Sequence, residues 1–265
     1  MTETAVPILM YHAVSTEPND ATRDLSVTPE AFAEQMALID DLGFTPVDTT
    51  ALAASWRSGR PLPARPVLVT FDDGYEGVHR HALPVLVKHG FAASLFVSTA
   101  WIKGPYDNGG ALDTMLDWGQ VRELADSGVE IGGHSHTHPQ LDMLDDDRLR
   151  FELRRCWQIV ADELGTRPVS FAYPYGYSNR RVRVAVRETG FAQSLAVGNA
   201  LARRRQGPYA LRRVTVRRST GAAEFERLIE GRAIARDFAR DRALTKGYAM
   251  VRRARQVRKA IRSRV

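Results

Sequence analysis

Residues 82–97 read ALPVLVKHG followed by FAASLFV, and the fold follows from how that stretch divides. Its first half has helical periodicity, and Gly90 stands where a helix ends in a left-handed cap. The uncharged run that follows has the length and composition of a buried strand. The same division recurs on both sides: AFAEQMALIDDLG before FTPV at Gly43, VRELADSG before VEIG at Gly128, CWQIVADELG before TRPVSFAY at Gly165, and VAVRETG before FAQSLAV at Gly190. Two more strands are predicted at residues 6–10 and 67–71. Thr28-Pro29-Glu30 marks a helix start, with Thr as cap, Pro in the first helical position and an acid in the first turn. Repeated helix-to-strand units predict a parallel α/β fold with helices outside. At this length a distorted (β/α) barrel of roughly seven units fits better than an open sheet. Such barrels carry their chemistry just after the strands, in the βα loops.

The 265 residues, 44% hydrophobic and 26% charged, suit one barrel-sized soluble domain with a full core. The net charge of +6 is unevenly spread: residues 232–265 hold twelve Lys or Arg against Asp237 and Asp241, a net +10, which leaves −4 on the remainder. The basicity therefore belongs to the tail and gives no ground for nucleic-acid binding by the folded part. We divide the chain into a domain at 1–221 and a basic helical extension at 222–265. Leu244, Tyr248, Val251, Ala254, Val257 and Ile261 follow helical spacing among arginines. That segment suits either an anionic membrane surface or a solvated, frayed helix. A single cysteine, Cys156, excludes an internal disulfide and reads as a small core residue. Residues 1–10 lack a basic stretch followed by a long apolar run, and the apolar stretch at 91–102 is too short to span a bilayer. A cytoplasmic location is the default expectation; the membrane reading of the tail would make it peripheral at the membrane.

The reactive residues fall where a barrel would place them. After the strand at 67–71 come Asp72, Asp73, Gly74 and Tyr75. Adjacent carboxylates oppose each other's ionisation; a bound cation removes the conflict and lets one ligate while the other stays free as a base. Gly74 permits the tight turn this needs. After the strand at 129–131 comes Gly132-Gly133-His134-Ser135-His136-Thr137-His138-Pro139. His134 and His138 have the i, i+4 spacing that can converge on one metal, while His136 points elsewhere, toward solvent or a supporting role. One Asp with two His leaves a coordination position open for water, the pattern of a hydrolytic site. After the strand ending at Phe171-Ala172, the run Tyr173-Pro174-Tyr175-Gly176 reads as a rigid, apolar wall on which a sugar could stack.

Thr70-Phe71-Asp72-Asp73-Gly74, His134-Ser-x-Thr-His138 and Tyr173-Pro174-Tyr175-Gly176 stand in the order found in polysaccharide deacetylases, the NodB-homology group or carbohydrate esterase family four. The resemblance spans residues 6–217. It implies Asp73, His134 and His138 as metal ligands, Asp72 as catalytic base and the Tyr175 N–H as oxyanion donor. Tyr173, Pro174 and Tyr175 would line the substrate site. It further implies removal of N-acetyl groups from an amino sugar, such as an N-acetylglucosamine-containing glycan. The metal is one divalent ion: zinc by ligand type, with cobalt, nickel or manganese able to take its place. Two departures stand out. Many members carry an arginine, orienting the catalytic Asp, where this chain has Ala172, and no histidine follows His138 to act as the acid. Ile8-Leu9-Met10-Tyr11-His12 resembles the circularly permuted branch acting on poly-N-acetylglucosamine, which implies His12, as imidazolium, for the acid. Leu211-Arg212-Arg213-Val214 resembles a late strand of that branch, which makes Arg213 a candidate for the missing arginine and for the substrate site. Two rival readings stand beside this: a same-fold amidohydrolase for a non-sugar amide, and a non-catalytic glycan-binding module.

Overall fold

A computed structural model describes residues 5–103, 113–241, 243 and 248. In chain order the elements are β1 (Ile8–Tyr11), α1 (Pro29–Asp41), β2 (Thr45–Pro46), α2 (Thr49–Ser58), β3 (Pro66–Phe71), α3 (Leu83–His89), β4 (Ala93–Val97), α4 (Trp118–Asp126), β5 (Val129–Gly133), α5 (Asp146–Leu164), β6 (Ser170–Ala172), α6 (Arg180–Thr189), β7 (Gln193–Val197), β8 (Leu211–Thr215), α7 (Ala222–Ile229) and α8 (Ile234–Asp237). The strands run parallel in the order β1-β8-β7-β6-β5-β4-β3. A further pairing of β1 with β3 closes them into a ring of seven. The distorted (β/α) barrel expected from the sequence is the fold observed. The two-residue β2 pairs only with the start of β3.

Each helix-to-strand segment forms its helix and its strand, and Thr28 caps α1 by accepting the Ala31 N–H at 3.1 Å. The first strand starts later than predicted. Val6 instead makes an antiparallel bridge to Ala202, and β1 begins at Ile8.

Alternation along the strands sorts side chains into layers inside the ring. The middle layer is apolar: Ile8, Leu68, Phe96, Ala172, Leu195 and Leu211, one from each of six strands, are fully buried together. The seventh strand supplies Gly132, where a Cβ would lie 2.6 Å from the Phe96 ring and 2.7 Å from the Ser170 carbonyl. Phe96 fills that space. Two residues earlier on the strands the layer is polar. Ser94 and Thr49 donate to the Glu130 carboxylate, and Gln193 donates to Ser170 Oγ. The start of α2 closes this end, with the Thr50 N–H donated to Glu130 at 2.9 Å. Two residues later the inward positions include His134 and Arg213, and Asp72 and His12 follow two residues beyond that, directly after β3 and β1.

Outside the ring, Phe32, Met36 and Ile39 of α1 and Phe225 and Ile229 of α7 join one core with Val67, Val69 and Phe71 of β3. Full burial of such a side chain stabilises the fold by ~1.5–3 kcal/mol. The start of the C-terminal extension thus packs on the barrel, whereas the helical-spacing residues of 244–261, Tyr248 apart, lie outside the described residues. Cys156 is buried and burial pushes its thiol up to about 12, as suits a core residue. Among the described residues no helix is long and apolar enough to cross a membrane.

Candidate metal centre and active site

At the end of β3 the chain turns through two left-handed residues, Asp73 (φ 76°) and Gly74 (φ 101°), so that the two carboxylates face different partners. A side chain at Gly74 would also stand 2.8 Å from Ile102 Cδ1. Asp72 continues the inward series of Leu68 and Thr70. Across the ring closure Arg213, two residues beyond Leu211 in β8, donates Nη1 and Nη2 to the two Asp72 oxygens, both at 2.7 Å. Both groups are buried, Arg213 completely. Burial alone would raise the Asp72 pKa; the Arg213 charge and hydrogen bonds outweigh it and hold the carboxyl below its ordinary value.

At the end of β5, His134 places Nδ1 2.8 Å from the Ala172 carbonyl oxygen, an arrangement that requires the proton on Nδ1. In the neutral ring Nε2 then carries a lone pair. It lies 3.2 Å from Asp73 Oδ1, and His138 Nε2 lies 3.4 Å from the same oxygen. That oxygen is buried and has no partner with hydrogen-bond geometry. One ligand atom from each of Asp73, His134 and His138 therefore falls within 4.8 Å of the other two. Lone pairs facing one another across so short a gap are stable only around a positive charge. Burial lowers the His134 pKa, but Asp72 and Asp73 more than reverse this and raise it. Burial raises the Asp73 pKa, yet the neighbouring imidazoles of His134, 3.2 Å away, and His138 outweigh it and hold the carboxyl well below the usual carboxylate range. The field that draws a proton here equally favours a divalent cation, and the donor set of one carboxylate and two imidazoles fits one. His138, pushed down to about 4 chiefly by burial, is neutral at pH 7 and free to ligate.

Backbone strain gathers at the same place. Among the described residues seven non-glycine residues have positive φ. Four of them, Asp73, Ser135, His138 and Tyr175, belong to the three predicted motifs. Such conformations cost about 1–3 kcal/mol each and persist where the surroundings impose them. His136 points away from Asp73, with Nδ1 2.9 Å from Thr99 Oγ1. His12 follows β1 directly and is within reach of the charges of Asp73, Asp72 and Arg213. Burial prevails and lowers its pKa, so the ring is neutral at rest rather than an imidazolium. Its Nδ1 is buried without a hydrogen-bond partner among the described residues.

The third motif divides differently from the sequence reading. Tyr173 is fully buried, its hydroxyl paired with Ser194 Oγ at 2.6 Å and donated to the Tyr209 carbonyl at 3.0 Å. Pro174 is buried as well. Neither can wall a substrate site, and Arg213, wholly enclosed, meets Asp72 instead of substrate. Tyr175 alone is open, 52% exposed, with its ring 4.7 Å from that of His138. Two residues not anticipated complete the surroundings. Trp101 lies 4.6 Å from the His138 ring on the loop after β4, and Glu152 of α5 accepts hydrogen bonds from the loop bearing the histidines.

A family model described as polysaccharide deacetylase matches residues 59–194. YxkH of Bacillus subtilis (strain 168) is 27% identical over 225 residues, covering 85% of this chain and 76% of the relative. The poly-beta-1,6-N-acetyl-D-glucosamine N-deacetylase of Escherichia coli (strain K12) is 25% identical over 256 residues; the match covers 83% of this chain but spans only 38% of that protein. The solved structure of the Streptococcus pyogenes deacetylase PplD in complex with acetate superposes with a TM-score of 0.77 at 23% identity, over 86% of this chain and 99% of the other. With a model matched over half its length and a barrel that carries the three motifs at its strand ends, this chain belongs to the polysaccharide deacetylase family.

Proposed function

We propose that the protein is a metal-dependent hydrolase that removes N-acetyl groups from a glycan containing N-acetylglucosamine. The observation that carries this reading is the pairing of two unlike acids: Asp73 shares one buried point with two imidazoles, while its neighbour Asp72 is kept ionised by Arg213 and outside that cluster. A glycan-binding module has no use for a free, ionised base beside a ligand set. The relative named for poly-beta-1,6-N-acetyl-D-glucosamine supports the substrate class. So do the open Tyr175 ring and the neighbouring Trp101, whose faces suit a pyranose.

Asp73, His134 and His138 would hold the ion, zinc by preference and cobalt, nickel or manganese as substitutes. When bound, a divalent ion there lowers the pKa of water and opposes negative charge on the acetamide oxygen. Asp72 takes the proton of the attacking water, and Arg213 keeps it ionised and oriented for that task. The Tyr175 N–H faces the developing oxyanion. His12 delivers a proton to the departing nitrogen, and acetate and a free amine result. Arg213 supplies the arginine that Ala172 lacks, so the departure at Ala172 gives no ground for a changed, non-sugar substrate.

The decisive assay is acetate release from N-acetylglucosamine oligomers. Release should be abolished by a chelator and restored by zinc. Activity undiminished after complete metal removal would contradict the proposal.

A further inference from the structure

In a helix the i, i+4 relation follows from the backbone hydrogen bonds themselves. Residues 134–138 are not helical, and Ser135 and His138 are left-handed. The convergence of His134 and His138 on Asp73 is therefore not given by helix geometry: within the loop Ser135 Oγ accepts the His138 N–H at 3.0 Å, and the remaining restraints come from outside it. From the β4 side, Thr99 N–H donates to the Ser135 carbonyl and Ala100 N–H to the His136 carbonyl. From the other side comes Glu152. It is fully buried on α5. Its Oε2 accepts the consecutive backbone N–H groups of His136 (3.0 Å) and Thr137 (2.7 Å), and its Oε1 accepts the Thr137 hydroxyl (2.6 Å).

Consecutive amides turned to one side form an anion-binding concavity, and here a side chain of the protein fills it. Both carboxylate oxygens are occupied, so Glu152 is not a ligand. It fixes the curvature at the middle of the loop, and thereby the separation of the two Nε2 atoms at its ends. We infer that Glu152 is a positioning residue for the metal centre, setting its affinity through the backbone of the ligand loop. The inference rests on the metal-dependent reading above.

The experiment compares zinc affinity, by competition with a chromophoric chelator, and thermal midpoints with and without zinc, for the wild type, E152A, E152Q and V160A. Val160 is buried on the same helix and serves as a packing control. E152A should bind zinc about 10- to 100-fold more weakly, and the rise in Tm on adding zinc should shrink. E152Q, which keeps the shape and one acceptor oxygen, should lose about tenfold and decides the matter if E152A does not fold. V160A should lower Tm equally in both states and leave zinc affinity unchanged. Wild-type zinc affinity in the Glu152 variants, or an equal loss in V160A, would overturn the inference alone. Absence of zinc binding by the wild type would overturn both it and the metal-dependent function.

Discussion

Asp72→Asn is expected to leave zinc bound and the protein folded while lowering kcat about 10²- to 10⁴-fold, the range for loss of a positioned general base. Asn has the same shape and keeps one oxygen for the Arg213 fork, but it cannot take a proton at neutral pH. Because Asp72 stands outside the converging ligand atoms, metal affinity should stay within a few-fold of wild type. His12→Ala should also slow turnover, and the two losses should not add. Burial lowers the His12 pKa, so in the proposed mechanism the proton it delivers is the one that Asp72 takes from the attacking water. The double variant should then be no slower than D72N alone. Wild-type turnover by D72N, measured as acetate release, would remove the base assignment.

Arg213→Met should produce the largest loss of stability. The substitution leaves the Asp72 carboxylate buried without its partner, a defect that costs about 3–5 kcal/mol. For a chain of this length that is on the order of 10 °C in Tm. The pH dependence separates this from lost packing. In the native pair Asp72 has a lowered pKa, so the pair stabilises fully above the unfolded-state value of about 3.9 and its contribution fades as pH falls through the native value. Without Arg213 burial is opposed only by His134 and His12, and the Asp72 pKa rises from its native value. The variant is then penalised above that raised value and relieved as the carboxyl protonates below it. The stability gap between wild type and variant should therefore be widest at neutral pH and narrow toward pH 4. The acidic limb of kcat/KM should move to higher pH, since the base must be ionised to act. A gap that is constant with pH in urea melts would show that Asp72 is not the cause.

Asp72 and Asp73, and His134 through His138, are chemical neighbours along the chain and follow their strands directly, so both motifs of the candidate metal site are legible in the sequence. The Arg213 fork joins residues 141 positions apart. It exists because β1 lies beside both β3 and β8, a closure that no local pattern encodes. In Leu211-Arg212-Arg213-Val214 two arginines compete for one inward position. Only the register decides that Arg212 is exposed and Arg213 buried. Strand alternation puts Tyr173, expected as a pocket wall, on the side of Phe171, two residues before, whose ring it meets at 5.5 Å outside the ring of strands. Period two carried one residue past the strand end would have predicted this. Glu152 left no signal at all. On an amphipathic helix with many charges, only burial against the ligand loop sets it apart.

The proposed chemistry requires that one carboxylate and two imidazoles share an ion. Anomalous diffraction at the zinc edge from zinc-soaked crystals tests this most directly. The predicted result is a single strong peak with Asp73 oxygen and the Nε2 atoms of His134 and His138 at about 2.0–2.2 Å, absent in D73A and retained in D72N. A peak elsewhere, or one that survives in D73A, would contradict the account.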